Sequence, residues 1–194
     1  MQSTPLNPRV ERLIERWYAK AKRESDSFSK FIFLYFCFNA IITNLSDEET
    51  DRAALNWIYA NENILRRVSE ECLQNPGIAR GIRQLQTIGS IPTYRRPTPM
   101  GPDRLEIENP ASIESVLNFI YQVRCNLFHG RKAPDDYYDK RLVALSCKIL
   151  QGIISGVLTR RGNGAQSLSK VHFTSDIAKG VRYLEDVHDN SNSS

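Results

Sequence analysis

The feature that most constrains this chain is an unbroken apolar and aromatic run at positions 31–38, Phe-Ile-Phe-Leu-Tyr-Phe-Cys-Phe, which continues through Ala40, Ile41 and Ile42. As a helix it has no polar side to turn to water, so other parts of the chain must cover it on most sides. Asn39, Thr43 and Asn44 interrupt it short of the ~20 residues needed to cross a bilayer. The expected role is therefore the buried helix of a bundle, with no membrane partner. Residues 1–8 lack the basic start and apolar stretch of a secretory signal. Cys37, Cys72, Cys125 and Cys147 are scattered without a C-x-x-C pair, the usage expected in a reducing cytosol, so the expected location is cytoplasmic.

The cover is written on both sides of that run. Asn7 reads as an N-cap with Pro8 at the first helical position, followed by Val10, Leu13, Ile14, Trp17 and Ala21 at helical spacing. Residues 25–29 offer caps for the aromatic helix, which is expected to reach about Leu45. Ser46 with Glu49 three residues later has the form of a capping box, opening a third helix through Ala54, Leu55, Ile58, Leu65, Val68 and Cys72 that Asn61 and Asn63 can bend or break. Residues 74–110 hold six of the nine prolines. They predict a long Pro/Arg-rich connection, with a short helix over 78–88 and loop over 92–102. Further helices are expected from about Ala111 and from about Asp136 to Leu158. Strand patterning is confined to 105–107.

The fold class read from this pattern is all-α, a bundle of about five main helices. Its 194 residues suit one domain over 1–190, large enough to bury a full core without disulfide or metal staples. The core is expected over about 7–158, and 159–194 form a partly flexible C-terminal extension containing a short helix over 177–187.

Chemistry concentrates at 120–132, Ile-Tyr-Gln-Val-Arg-Cys-Asn-Leu-Phe-His-Gly-Arg-Lys. Arg124 falls one turn after Ile120, on the stripe marked by Ile113, Val116, Leu117 and Ile120. A guanidinium cannot shed its proton to escape burial, so it needs an anionic partner or a hydrated cleft. His129 follows five residues later, about 140° around an ideal helix. The two can converge only if the helix ends between them, and Gly130 with Pro134 supplies such an ending. Asn126 is placed to orient the imidazole. The competing reading of His129 is a C-terminal cap that favours the helix dipole. Arg131 and Lys132 are candidates for flanking phosphates, or else solvated charges. His172 and His188 have no partner at metal-ligand spacing, so neither a metal nor any other cofactor is expected.

This constellation resembles the signature of the HEPN superfamily, helical domains common in prokaryotic toxins and defence systems. The resemblance rests on Arg-x-x-x-x-His, with Asn126 inside it and Gly130 after it. It extends to Phe38-Asn39-Ala40 in the aromatic helix and to Ala54-Leu55-Asn56-Trp57, covering about residues 17–158. It implies a HEPN-like bundle that forms a homodimer, and in many members a metal-independent endoribonuclease in a toxin or phage-defence setting. His129 would be the catalytic histidine and Arg124 the catalytic arginine, with Asn126, Arg131 and Lys132 contacting RNA. Two departures are informative. The position directly after the arginine, polar in many members, is Cys125. The position two after the histidine, a tyrosine in members silenced by a nucleotidyltransferase, is Arg131. An antitoxin or defence-system protein remains an implied partner. The alternative is a non-catalytic HEPN-like module that binds RNA, a nucleotide or a protein.

Charge fits an anionic partner. The net +4 hides an asymmetry, with residues 1–71 carrying −1 and residues 72–194 carrying +5. The 20 residues 115–134 around the motif contain no acid, a bias suited to phosphate.

Overall fold

The computed structural model describes residues 6–98 and 101–162, with side chains at 71, 94–102 and 159–162 outside the description. The expected helix at 177–187 and both His172 and His188 lie outside the described residues. Seven helices and one β-hairpin follow in order: α1 (Pro8–Arg23), α2 (Ser27–Ser46), α3 (Asp51–Ala60), α4 (Glu62–Gln74), α5 (Pro76–Gln86), β1 (Ile91–Thr98), β2 (Gly101–Leu105), α6 (Ile113–Phe128) and α7 (Tyr137–Gly162). The chain is mostly helical, as its patterning predicts.

The aromatic run becomes α2, which α1, α3 and α7 cover. Phe28, Phe31, Leu34, Tyr35, Cys37, Phe38, Ile41 and Ile42 are all buried. Asp26 caps the helix, its carboxylate accepting from Ser29 N at 2.7 Å. α2, at 20 residues, and the Tyr137–Leu158 part of α7 are long and apolar enough to cross a membrane, α2 despite the asparagines read as interrupting it; here they pack on one another. The buried thiols of Cys37 and Cys147 donate to Ile14 O and Ser27 O, both at 3.4 Å. Burial pushes each of them up to about 12.

Three sequence expectations are corrected. Ser46 does not open a third helix. It ends α2, and Asp47 at φ +58° closes that end in the left-handed conformation. Thr50 caps α3 instead, accepting from Ala53 N at 3.2 Å. Next, the third helix expected through Cys72 breaks at Asn61, one of the two asparagines read as able to bend or break it: Asn61 caps the end of α3, and its carbonyl accepts from Ile64 N and Leu65 N as α4 begins. With α5, the short helix expected over 78–88 and found at Pro76–Gln86, capped by Asn75, the described residues form seven helices where about five main ones were expected. Finally, the loop expected over 92–102 is an antiparallel hairpin, Ile91 opposite Leu105 and Thr98 opposite Gly101, with its register shifted between Pro92 and Pro97. Proline is tolerated there because, in a two-stranded ribbon, half of the backbone groups face away from the partner strand.

Helices α5 and α7 meet through a reciprocal fit. Ile78 of α5 seats on Gly152 of α7, where an added Cβ would overlap the isoleucine, and Ile149 of α7 seats on Gly81 of α5, 3.3 Å from where a Cβ would stand. This contact, with α2 against α7, builds the core that leaves the end of α6 exposed.

Candidate nucleic-acid cleavage site

Helix α6 starts at Ser112, whose hydroxyl accepts from Ser115 N at 3.3 Å. It buries Ile113, Val116, Leu117, Phe119, Ile120 and Val123. Its last turn closes as a complete Schellman motif. Arg131 N donates to Asn126 O at 2.8 Å, Gly130 N donates to Leu127 O at 3.0 Å, and Gly130 takes φ +64°. The helix thus ends where Gly130 and Pro134 predict, and His129 is its C-cap residue. The imidazole is exposed and, among the described residues, hydrogen-bonds nothing.

Arg124 has its anion inside the fold. Its Nη2 lies 3.2 Å from Asp51 Oδ2, and the hydroxyl of buried Tyr35 donates to that same oxygen at 3.1 Å. Asp51 is the first residue of α3, where the helix dipole favours a carboxylate. The guanidinium also lies over the rings of Phe128, at 4.9 Å, and Tyr35, at 5.6 Å. Desolvation works against its charge, but Asp51 and Tyr35 outweigh it and raise the arginine's pKa further. The Tyr35 phenol is driven far above its ordinary range by burial first and by Asp51 second. The side chain of Arg124 keeps 29% of its surface in water, while its Nε is buried without an acceptor.

The other sequence candidates divide. Asn126 is fully buried: its Nδ2 donates to Pro92 O at 2.9 Å and its Oδ1 accepts from Gln122 Nε2 at 2.9 Å. Gln122 also donates to Thr93 O at 3.2 Å. The two carboxamides therefore tie the motif helix to the base of the hairpin, and Asn126 is directed at β1 instead of at His129. The side chain of Lys132 is only 5% exposed and pairs with Asp139 Oδ1 at 2.5 Å. The second oxygen of Asp139 accepts from Ala133 N at 2.9 Å, so this pair folds the loop after the motif onto the start of α7. Arg131 is exposed, with its backbone N–H in the Schellman turn.

Arg124, in part, and His129 thus reach the surface from one helix end, as do Phe128 and Arg131. Sequence reasoning missed the residues that hold them. Asp51 is one of four acids between 47 and 51, with nothing in the spacing to select it, and Tyr35 is hidden within the aromatic run. The polarity of Gln122, four residues before Asn126 on a helix otherwise apolar on that side, was the available signal for the hairpin tie. Chemically, a fixed guanidinium can hold a phosphate and an exposed imidazole can move a proton. No protein-family model, curated protein or solved structure matches the chain.

Proposed function

We propose that this chain is a metal-independent endoribonuclease of the HEPN type, working as a homodimer in a toxin or defence setting. One observation carries the reading. A helix end locked by a full Schellman turn presents an imidazole without an internal partner, five residues after an arginine held rigidly by Asp51 and Tyr35 yet still partly open to solvent. The reaction is a transesterification. A base takes the 2′-hydroxyl proton, the 2′-oxygen attacks phosphorus, and the 5′-oxygen leaves with a proton from an acid. Two His129 rings across a dimer supply base and acid, since imidazole is effective in both roles near neutral pH. Arg124 stabilises the phosphate as its negative charge grows. Binding falls to groups outside the motif in part, because Lys132 is already paired and Asn126 is internal.

The test is cleavage of labelled RNA in EDTA by the wild-type chain and by His129→Ala and Arg124→Ala, each confirmed folded by circular dichroism. The expected result is a loss of roughly a hundredfold or more in each variant. Undiminished cleavage in both sinks the assignment.

A second reading has an observation of its own. Arg124 already owns a carboxylate and Asn126 serves the hairpin, as in a non-catalytic HEPN-like module that keeps the motif for its architecture. Absence of cutting on varied RNAs, together with partner or RNA binding that survives His129→Ala, favours that module. An antitoxin or defence-system protein is the partner either reading would engage.

A further inference from the structure

The demand for an anion that the sequence places on Arg124 is met by Asp51; the neighbouring Arg52 carries the same demand unmet. Arg52, the second residue of α3, reaches across to α6. There its Nη1 donates to Asn118 Oδ1 at 3.0 Å and its guanidinium lies over the Tyr121 ring at 5.4 Å. It is half-buried, and among the described residues no carboxylate comes within ion-pair distance of it. Asp51, next to it, is occupied by Arg124 and Tyr35.

A half-buried guanidinium with one neutral hydrogen bond keeps donors that a phosphate can use in its forked geometry. Its position is not isolated. Asn118, Tyr121, Cys125 and Phe128 follow one another at three- and four-residue intervals along one face of α6, and that face leads to His129. Two arginine–aromatic pairs therefore stand in line on it: Arg52 over Tyr121, and Arg124 over Phe128, seven residues further along the helix.

We infer that Arg52, held by Asn118 and Tyr121, binds a phosphate of single-stranded RNA adjacent to the one at His129, so that the substrate strand runs along the outward face of α6. The identity of the strand as RNA rests on the endoribonuclease reading; the phosphate subsite rests on the Arg52 geometry. Single strands are favoured over duplex because aromatic rings and guanidinium planes offer stacking surfaces that only unpaired bases can reach.

The test separates binding from cutting. A 5′-labelled single-stranded oligonucleotide with 2′-O-methyl groups, which cannot be cleaved, is titrated by fluorescence anisotropy into the full chain and into Arg52→Ala and Arg52→Lys over a range of salt. Arg52→Ala is expected to weaken binding roughly tenfold and to lower the slope of log affinity against log salt by about 0.7. Arg52→Lys should keep the slope but recover only part of the affinity, because a point charge lacks the fork. With cleavable RNA, Arg52→Ala should raise KM with little change in kcat. Wild-type affinity and slope in Arg52→Ala, or no binding of the single strand by the wild-type chain, overturns the inference. If Arg52→Ala does not fold, Arg52→Lys decides alone, and full wild-type affinity in it refutes the forked contact. Cleavage that persists in His129→Ala while Arg52→Ala still loses binding defeats the catalytic reading and leaves the subsite standing.

Discussion

Arg124 keeps a full charge at the margin of the core because three side chains, two of them from other helices, organise around it. Asp51 supplies the countercharge, Tyr35 stiffens that carboxylate from below with its hydroxyl, and the Phe128 and Tyr35 rings cover the guanidinium. Removing one member of such a set exposes the cost of burying the others. Loss of one partner from a fully buried pair costs roughly 3–5 kcal/mol. Arg124 retains 29% exposure, so solvent screens part of that and Asp51→Ala is expected to destabilise the fold by about 2 kcal/mol in urea unfolding. Much of the loss is the unpaired charge itself. The double variant Asp51→Ala with Arg124→Leu should therefore be more stable than the sum of the single variants allows, by about 1 kcal/mol. Strict additivity would mean that the pair contributes little and that Arg124 is positioned by its rings alone.

At the scale of elements, α5 and α7 approach closely, each glycine accepting the other helix's isoleucine. Gly152→Ala places a methyl group where the Cγ1–Cδ1 arm of Ile78 now sits, so that arm must shift inside the packed contact, and is expected to cost about 1–3 kcal/mol by overpacking. Adding Ile78→Ala, which removes both intruding atoms, should return part of that stability in thermal unfolding relative to the sum of the two single variants; strict additivity would show that the helices do not meet there. The sequence makes neither glycine legible, since a helical Gly says nothing about what packs over it. What was legible is instructive by contrast. Asn7-Pro8 and Gly130 act on the backbone within a residue or two of themselves, so α1 begins and α6 ends where local chemistry puts them. The failures were tertiary. Ser46–Glu49 satisfies a capping box on paper, yet α2 continues through Ser46, which is buried. The prolines of 92–102 suggest loop until the hairpin's base is seen to be held by Gln122 and Asn126 from α6. In the site, Arg124 and His129 were legible because their spacing is local. Asp51, Tyr35 and Arg52 were not, because they arrive from other helices.

At the scale of the whole molecule, a mechanism with two imidazoles requires two copies of the chain to meet at the end of α6. The largest exposed apolar side chains among the described residues are Leu13, Phe36, Leu73, Phe128, Tyr137 and Tyr138. Three of these bracket the motif loop: Phe128 directly before His129, and Tyr137, 77% exposed, with Tyr138 at the start of α7. The rival surface is the outer face of α1 and α2, where Phe36 packs edge-on against Trp17 and Lys20 lies over Phe33. Phe38, central to the sequence's aromatic run, is buried and cannot serve as a contact for either surface. A two-fold interface uses each residue twice, so truncating one aromatic side chain removes two burials, each worth roughly 1.5–3 kcal/mol when complete. Tyr137→Ser and Phe128→Ser are therefore expected to raise the dimer dissociation constant on the order of a hundredfold in sedimentation equilibrium, whereas Phe36→Ser should leave it unchanged. Specific cleavage activity should fall with the dimer fraction on dilution, and fall at higher protein concentration in the two motif-side variants. If Phe36→Ser separates the copies and Tyr137→Ser does not, the α6 ends are not paired. A shared phosphate between two His129 rings is then excluded, and the single imidazole would have to act with Arg124 alone.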